Sequence, residues 1–374
     1  MKKLARIIVF SALVATLWLP ALASNTLSLN ETSAVAPQDE EAKAALYNEF
    51  LKNYKTDPKA AYATAKEYLQ KFPAESDQTA YLKKWITAYE AKEKQGRKDA
   101  VVDLLRQQKY TEAFNAAKVI LAEEPADVAM LNNAVFAALY ARNDAFTGEA
   151  MNYARKSVQL IQSSQTFDKK DETLGWLHSA LGFFSLKTNP SEAITFYIKA
   201  AGFESAAKKD PQTYVFLADA YRNAEYTKVA GDFKTRCATG EQQATPECKA
   251  LSERVNAVVD RMIDAYARAI ALATDAKYAT LKADVMKDLT AFYKFRHENT
   301  DAGLDALIAG ILAKPLPTGA ITTGGTASTT TAPSTPQSNT GTTNAAGTTT
   351  GTNGGATTAP ASTTNNAGKT PKRR

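Results

Sequence analysis

The chain of 374 residues contains only two cysteines and two histidines, the residue types that most often serve as nucleophiles and transition-metal ligands. Cys237 and Cys248 enclose ten residues, including Gly240 and Pro246. They lack the CxxC spacing of redox and zinc sites, and no histidine lies within forty residues of either. If the protein is exported, the pair therefore predicts a structural disulfide bond. A redox or metal site is the alternative.

The histidines do not belong to a recognisable catalytic pattern. His178 lies near Trp176 in a predicted helix, and His297 follows Arg296 at a predicted helix end, where a partly positive ring is favourable. The sequence contains no Gly-x-Ser-x-Gly, His-Glu-x-x-His or phosphate-binding glycine loop. We therefore expect no catalytic residue, no cofactor and no bound metal, and hence a protein that is not an enzyme.

The first 23 residues have the pattern of a secretory signal peptide. Lys2, Lys3 and Arg6 precede a mostly apolar run from Ile7 to Leu19, and Ala21-Leu22-Ala23 supplies a cleavage site. The thirteen residues of this run would span about 20 Å as a helix, which is short of the roughly 20 residues that a bilayer requires. We expect an exported protein, periplasmic, envelope-associated or secreted, without a transmembrane span after cleavage.

The net charge of +6 comes from the two ends of the chain. Residues 1–23 and 315–374 carry three and four basic residues and no acidic ones, whereas the region between them has 38 Lys and Arg against 39 Asp and Glu. Phosphate binding requires a clustered positive surface. The charge distribution therefore predicts that the central region does not bind nucleic acid.

Between residues 42 and 314 apolar residues recur at helical spacing, for example Leu131, Val135 and Leu139, and alternation typical of strands is hard to find. Prolines fall at predicted helix starts or between helices. They are Pro58, Pro73, Pro125, Pro190, Pro211 and Pro246. We predict an all-α domain over 42–314, preceded by a flexible leader at 24–41.

Small residues occur at corresponding places in neighbouring predicted helices. Ala61, Ala113, Ala150 and Ala193 each open the second helix of a pair, and Gly182 and Ala218 lie in first helices. The alanines are 52, 37 and 43 residues apart, and residues 76–107 fit the pattern poorly, where we predict that Gly96 interrupts a long helix.

This pattern resembles the tetratricopeptide repeat, a helix-turn-helix unit of 34 residues in which small residues let two helices approach closely. Aromatic residues and prolines at family positions add to the resemblance, namely Tyr110, Tyr197, Tyr221, Tyr266, Pro73 and Pro125. The irregular spacing marks a divergent member with insertions. The resemblance implies an α-solenoid of stacked antiparallel helix pairs. An irregular helical bundle is the alternative.

In this family the first helix of each pair lines a concave groove. The residues that the resemblance places in the groove are Asn132, Phe136, His178, Phe183, Val215, Asp219, Arg222 and Asn223. Amide, aromatic and charged groups in such a mixture suit an extended peptide, whose backbone needs hydrogen-bond donors and acceptors.

Residues 315–374 contain 20 Thr, no aromatic and no acidic residue, and their only large aliphatic side chains are Leu316 and Ile321. This composition cannot form a core, so we predict a disordered tail. Its basic end, which consists of Lys369, Lys372, Arg373 and Arg374, offers contact with anionic cell-wall or envelope polymers.

Taken together, the sequence predicts a non-enzymatic exported scaffold that binds peptide segments or partner proteins of the cell envelope. The alternative keeps the same helical-repeat fold but has carbohydrate or cell-wall polymer as its ligand, stacked on aromatic groove residues.

Overall fold

A computed structural model describes residues 37–319 and residue 321. The predicted signal peptide, most of the predicted leader and most of the predicted tail lie outside these residues. The described residues form an all-helical protein without a strand, as predicted. Helix α1 (Pro37–Asn53) begins inside the stretch that was expected to be a flexible leader. The chain divides into two compact units, residues 1–93 and 94–374.

The first unit contains α1, α2 (Pro58–Lys71) and the first part of α3 (Asp77–Arg106). Asp57 caps α2 by accepting a hydrogen bond from the backbone N–H of Ala60 at 3.0 Å, and Pro58 occupies the first turn. α1 packs on α2 around a small buried core. Its members are Phe50, Ala61, Ala65, Tyr68 and Leu82.

The boundary between the units falls inside α3, which runs without a break past Gly96. The prediction that Gly96 interrupts this helix was therefore wrong. A single glycine costs a helix only about 1 kcal/mol, which the hydrogen bonds of the turns on either side outweigh.

The second unit continues with a series of helices, most of which pack on the next one along the chain. They are α4 (Tyr110–Glu123), α5 (Val128–Ala141), α6 (Thr147–Ser163), α7 (Lys170–Ser185), α8 (Pro190–Gly202), the short α9 (Ala206–Lys209), α10 (Pro211–Tyr221), α11 (Thr227–Arg236), the short α12 (Gly240–Gln243), α13 (Pro246–Leu272), α14 (Ala279–Arg296) and α15 (Leu304–Gly310). α10 packs on both α8 and α13, and α14 packs on α13.

Helices α5, α7 and α10 also contact one another in turn, although other helices separate them along the chain. A capping side chain followed by a proline opens α8 and α10, at two of the prolines named in the sequence analysis. Asn189 accepts from the N–H of Glu192 at 3.3 Å, and Asp210 accepts from that of Gln212 at 3.0 Å. Sequence and structure therefore agree on where these two helices begin.

Small residues let α7 and α8 approach closely. A Cβ added at Gly182 would lie 2.8 Å from the ring of Tyr197, which is fully buried on α8. Gly182 was one of the small residues that carried the resemblance. The ring therefore fills the space that a larger side chain on α7 would need.

The first residues of the predicted tail are in contact with the helical core. We call residues 314–319 and 321 the C-terminal strap. Leu316 and Ile321 pack against the buried cluster around α10 and α13, and Arg268 and Arg261 donate hydrogen bonds to strap carbonyls. The strap lies almost entirely within the stretch for which we predicted disorder, and it contains both large aliphatic side chains of that stretch.

Among the described residues, no helix is both long enough and apolar enough to cross a membrane.

Candidate peptide-binding face

An open concavity of about 480 Å³ lies where α5, α7, α9 and α10 meet. Its lining includes Asn133 and Phe136 of α5 and Glu172, Trp176 and Ser179 of α7. The α7 residues are spaced by four and three positions, so they lie on one side of the helix. α10 contributes Asp210 and Thr213, and Asn132 lies beside Asn133 on α5. We call this concavity and its lining the α5–α7–α10 face.

The carboxylates of this face are held by helix N-termini. Glu172 accepts a hydrogen bond from the N–H of Ala206 at 2.8 Å, and Asp210 caps α10. Each carboxylate uses one oxygen in this bond, and a carboxylate has a second that can accept another. The residues that line the concavity include these two acids and no lysine or arginine. The face can therefore accept hydrogen bonds and favours a ligand with positive charge or many N–H groups.

Amide and hydroxyl groups add donors to the same face. Asn132 accepts a hydrogen bond from the hydroxyl of Ser157 on α6 at 2.6 Å, which orients its amide. Its NH₂ group is then the end directed away from this bond. Asn133, Ser179 and Thr213 also line the concavity. The face thus offers both the donors and the acceptors that an extended main chain requires.

Aromatic side chains extend the face along α5 and α7. Phe136 is half-buried, and its ring lies 4.5 Å from that of Tyr140, which is 52% exposed. Phe183 is 41% exposed, and its ring lies 5.8 Å from that of Phe216 on α10. Exposed aromatic rings are a common feature of binding surfaces. Asn132, Phe136 and Phe183 therefore lie where a ligand could contact them.

Arg222, in contrast, is committed to an internal network. Its Nη2 donates to Asp288 of α14 at 2.8 Å and to the hydroxyl of Tyr266 of α13. Its guanidinium carbon lies 5.6 Å from the ring centroid of Phe292, which is within cation–π range. Asp219 is 3.9 Å away, and burial raises the pKa of its carboxyl while Arg222 opposes the rise. Arg222 therefore joins three helices and is not a free cation for a ligand.

Val215 and Asn223, two further residues that the resemblance placed in the groove, differ in exposure. Val215 is half-buried and packs against the core around α13, whereas Asn223 is exposed. Asn223 lies in a π-helical turn, Arg222–Tyr226, that follows α10 directly. Such turns disrupt the regular hydrogen-bond ladder and are frequent at functional sites. Here the turn begins at Arg222, the residue that joins α10 to α13 and α14.

His178 does not lie on the face, contrary to the prediction from the resemblance. The side chain is 4% exposed, and its ring stacks 5.6 Å from that of Phe203 and 6.0 Å from that of Phe196. Among the described residues neither ring nitrogen has a hydrogen-bond partner. Burial, with a smaller effect from Lys199, lowers the pKa of His178 to about 4. The physical reason is the helix period, because Trp176 and Ser179 take the exposed side of α7 and leave residue 178 on the inner side.

Cys237 and Cys248 lie at disulfide-bonding distance, with their Cα atoms 5.7 Å apart and both side chains buried. The residues between them form a loop that contains α12 and joins α11 to α13. Gln243 donates to the carbonyl of Cys237 at 3.0 Å and Thr245 caps α13, so hydrogen bonds order the loop locally. This arrangement is compatible with the predicted disulfide bond.

The sequence analysis did not name several members of the face. Trp176, Glu172 and Asp210 were missed as groove residues, although spacing by four and three along α7 would have led from Phe183 back through Ser179 to Trp176. Asp210 directly precedes Pro211, so the sequence indicates only that it lies near a helix start. Its second role depends on the approach of α7 to α10, which has no local signal.

No model of a known protein family matches the chain. A comparison with curated proteins likewise found no match.

Proposed function

We propose that the protein is a non-enzymatic scaffold that binds extended segments of partner proteins on the α5–α7–α10 face. The observation that carries this proposal is the open concavity lined by α5, α7 and α10, in which amides, hydroxyls and two carboxylates surround the indole of Trp176. An extended peptide presents unpaired N–H and C=O groups along its length, and this lining offers partners for both.

The same proposal includes a divergent tetratricopeptide-like solenoid for the helices of the second unit. Three features support it. Helices pack in neighbouring pairs, α7 contacts both α5 and α10, and the ring of Tyr197 packs against Gly182. In a stack of helix pairs the first helix of each pair lines one surface, and α5, α7 and α10 are the first helices of successive pairs.

The alternative ligand is a carbohydrate or cell-wall polymer. Trp176 favours it, because an indole beside amide and carboxylate groups is also suited to a sugar ring, with stacking on one side and hydrogen bonds at the edge. The peptide is preferred because the face continues through Phe136 and Tyr140 on α5 and Phe183 on α7, which suits a long chain.

A library of random twelve-residue peptides, displayed on phage and selected on the full-length protein, tests the proposal. We expect enrichment of peptides with basic or aromatic residues, and about tenfold weaker binding of those peptides to Trp176→Ala. Val119→Ala is the matched control, because Val119 is 58% exposed on α4 and does not line the concavity. Binding to this control should equal binding to the wild type.

Soluble cell-wall oligosaccharides form the second arm of the same experiment. If they bind the wild type and lose binding with Trp176→Ala, while no peptide is enriched, the carbohydrate alternative replaces the peptide proposal. Enriched peptides that bind Trp176→Ala as tightly as the wild type would contradict the position of the site.

We also propose that the protein is exported and that its two cysteines are bonded there. The support is the pattern of residues 1–23 together with the distance between Cys237 and Cys248. Thiol labelling of the unreduced, denatured protein purified from its native compartment should find no free thiol, and two after reduction. Two free thiols before reduction would contradict the bond.

A further inference from the structure

The C-terminal strap is held on α13 through its main chain. The Nη2 of Arg268 donates to the carbonyls of Lys314 and Pro315, at 2.9 Å each, and the Nη2 of Arg261 donates to the carbonyl of Gly319 at 3.0 Å. These three acceptors belong to the backbone, and any residue type supplies a carbonyl at these places. The polar part of this recognition is therefore independent of the strap's side chains.

The guanidinium of Arg268 is prepared for such a ligand. The residue is 5% exposed, and its Nε donates to Asp264 on the preceding turn of α13 at 2.7 Å. Nη2 also donates to Asp264, at 3.3 Å, and the two bonds to this carboxylate fix the plane of the guanidinium with Nη2 directed at the strap. A buried guanidinium without acceptors would be costly, so the site requires a main chain or another set of carbonyls.

Two shallow apolar contacts supply the remainder of the recognition. Leu316 and Ile321, five positions apart, pack against the cluster around α10 and α13, and both remain half-buried. The other described strap residues are exposed, apart from the half-buried Pro317. The strap is thus an extended segment held by two side chains and three carbonyls, a pattern that other sequences can reproduce.

Arg261 has capacity for a further bond. Its Nη1 is buried and, among the described residues, has no hydrogen-bond partner. A segment with one more carbonyl in reach could satisfy it. The described strap residues therefore leave this nitrogen without an acceptor.

We propose that the surface of α13 around Arg261 and Arg268 is a second peptide-binding site, which the strap occupies in cis and from which an extended segment of a partner protein can displace it. The ligand is a proline-containing peptide with two aliphatic side chains five positions apart. This site is separate from the α5–α7–α10 face and does not depend on the function proposed for it.

The strap follows the helical core directly, since the last helical turn ends at Ala313. A ligand tethered this closely has an effective concentration in the millimolar range, and a free peptide must compete with it. Replacement of the strap by a free peptide therefore depends on how tightly α13 holds the strap.

Fluorescence anisotropy of a labelled peptide with the sequence of residues 314–321 tests the proposal on the full-length protein. The wild type should bind the peptide weakly. The variant Leu316→Gly/Ile321→Gly, which weakens the strap without changing α13, should bind it about tenfold more tightly. A peptide with the same two replacements is the ligand control and should not bind.

Arg261→Ala in the weakened-strap background should remove most of the gain, and Arg254→Ala is its control on the same helix. Arg254 forms an exposed ion pair with Glu225 at 3.3 Å, away from the strap contacts. Circular dichroism verifies that each variant is folded.

Equal binding by the wild type and the weakened-strap variant would overturn the proposal, and so would a gain that survives Arg261→Ala. Trp176→Ala should leave this binding unchanged, which separates the outcome from that at the α5–α7–α10 face.

Discussion

The imidazole of His178 is buried in surroundings that disfavour its charged form. The rings of Phe196 and Phe203 lie beside it, and the positive charge of Lys199 repels a protonated imidazole. Both effects disfavour the imidazolium, so the folded protein holds a neutral ring. This arrangement makes the folded protein sensitive to acid, because the imidazole of His178 binds a proton more readily once the chain is unfolded.

The first prediction is that His178 makes the protein less stable as the pH falls. Its pKa is about 4 in the folded protein and about 6.5 in an unfolded chain. Between these values the unfolded state binds more protons, so the stability is fully present above pH 6.5 and is lost as the pH falls towards 4. The difference corresponds to roughly 2 to 3 kcal/mol in the free energy of unfolding at pH 4.5.

Urea unfolding at pH 7.5 and 4.5 measures this loss. His178→Leu should reduce the pH dependence by that amount, because it removes the group that titrates. His297→Gln is the control, since His297 is exposed and stacks 4.0 Å from the ring of Tyr293 at the end of α14. An unchanged pH dependence in His178→Leu would contradict the prediction.

Sequence periodicity could place His178 on a helix but not on the correct side of it. Adjacent residues on a helix differ in direction by about 100°, so an error of one position moves a side chain from a surface to the core. The partners of Arg222 could not be predicted from the sequence, for another reason. Asp288 is 66 residues further along the chain, and no local pattern indicates that α14 returns to α10.

At the scale of the helices, the close approach of α7 and α8 depends on the absence of a side chain at residue 182. The ring of Tyr197 is fully buried, and the ring of Phe216 on α10 lies 5.9 Å from it, so the ring has little room to move. The small residues seen in the sequence predicted such an approach, although the partner is an aromatic ring instead of the expected small residue. Helix starts were predictable because capping side chains and prolines act locally.

The second prediction concerns this approach. Gly182→Ala should lower the free energy of unfolding by about 1 to 2 kcal/mol, because the new methyl group would lie 2.8 Å from the ring of Tyr197. The better helix propensity of alanine offsets only part of this cost. Gly96→Ala is the matched control within α3, since nothing lies within 4 Å of its added Cβ.

Gly96→Ala should instead increase the stability by about 0.5 to 1 kcal/mol, through helix propensity alone. Chemical denaturation of the two variants side by side therefore gives changes of opposite sign. If both variants became more stable, the contact between α7 and α8 would be looser than its geometry indicates.

At the scale of the whole molecule, the two ends of the helical region differ from the sequence prediction in the same direction. Helix α1 includes Pro37 and the strap includes Ile321, so the described structure extends beyond both predicted limits, 42 and 314. The prediction for the tail used the average composition of residues 315–374. Two aliphatic residues in a stretch rich in threonine and glycine barely change that average. Their effect depends on the cluster around α13, which the tail's own sequence does not encode.

The last prediction separates the strap from the residues that follow it. A chain that ends at Ile321 should melt at the temperature of the full-length protein, because the residues removed contain no aromatic and no large aliphatic side chain. A chain that ends at Lys314 loses two apolar contacts and the carbonyls of Pro315 and Gly319. We expect a loss of about 2 kcal/mol, which lowers Tm by roughly 4 to 8 °C.

Thermal melting followed by circular dichroism compares the three chains. The shorter chain should regain part of its Tm when the peptide of residues 314–321 is added, because a ligand that binds the folded state stabilises it in proportion to its occupancy. Equal melting temperatures for the chains that end at 314 and 321 would show that the strap contributes no stability. A fall in Tm on ending the chain at 321 would instead place further stabilising contacts beyond the strap.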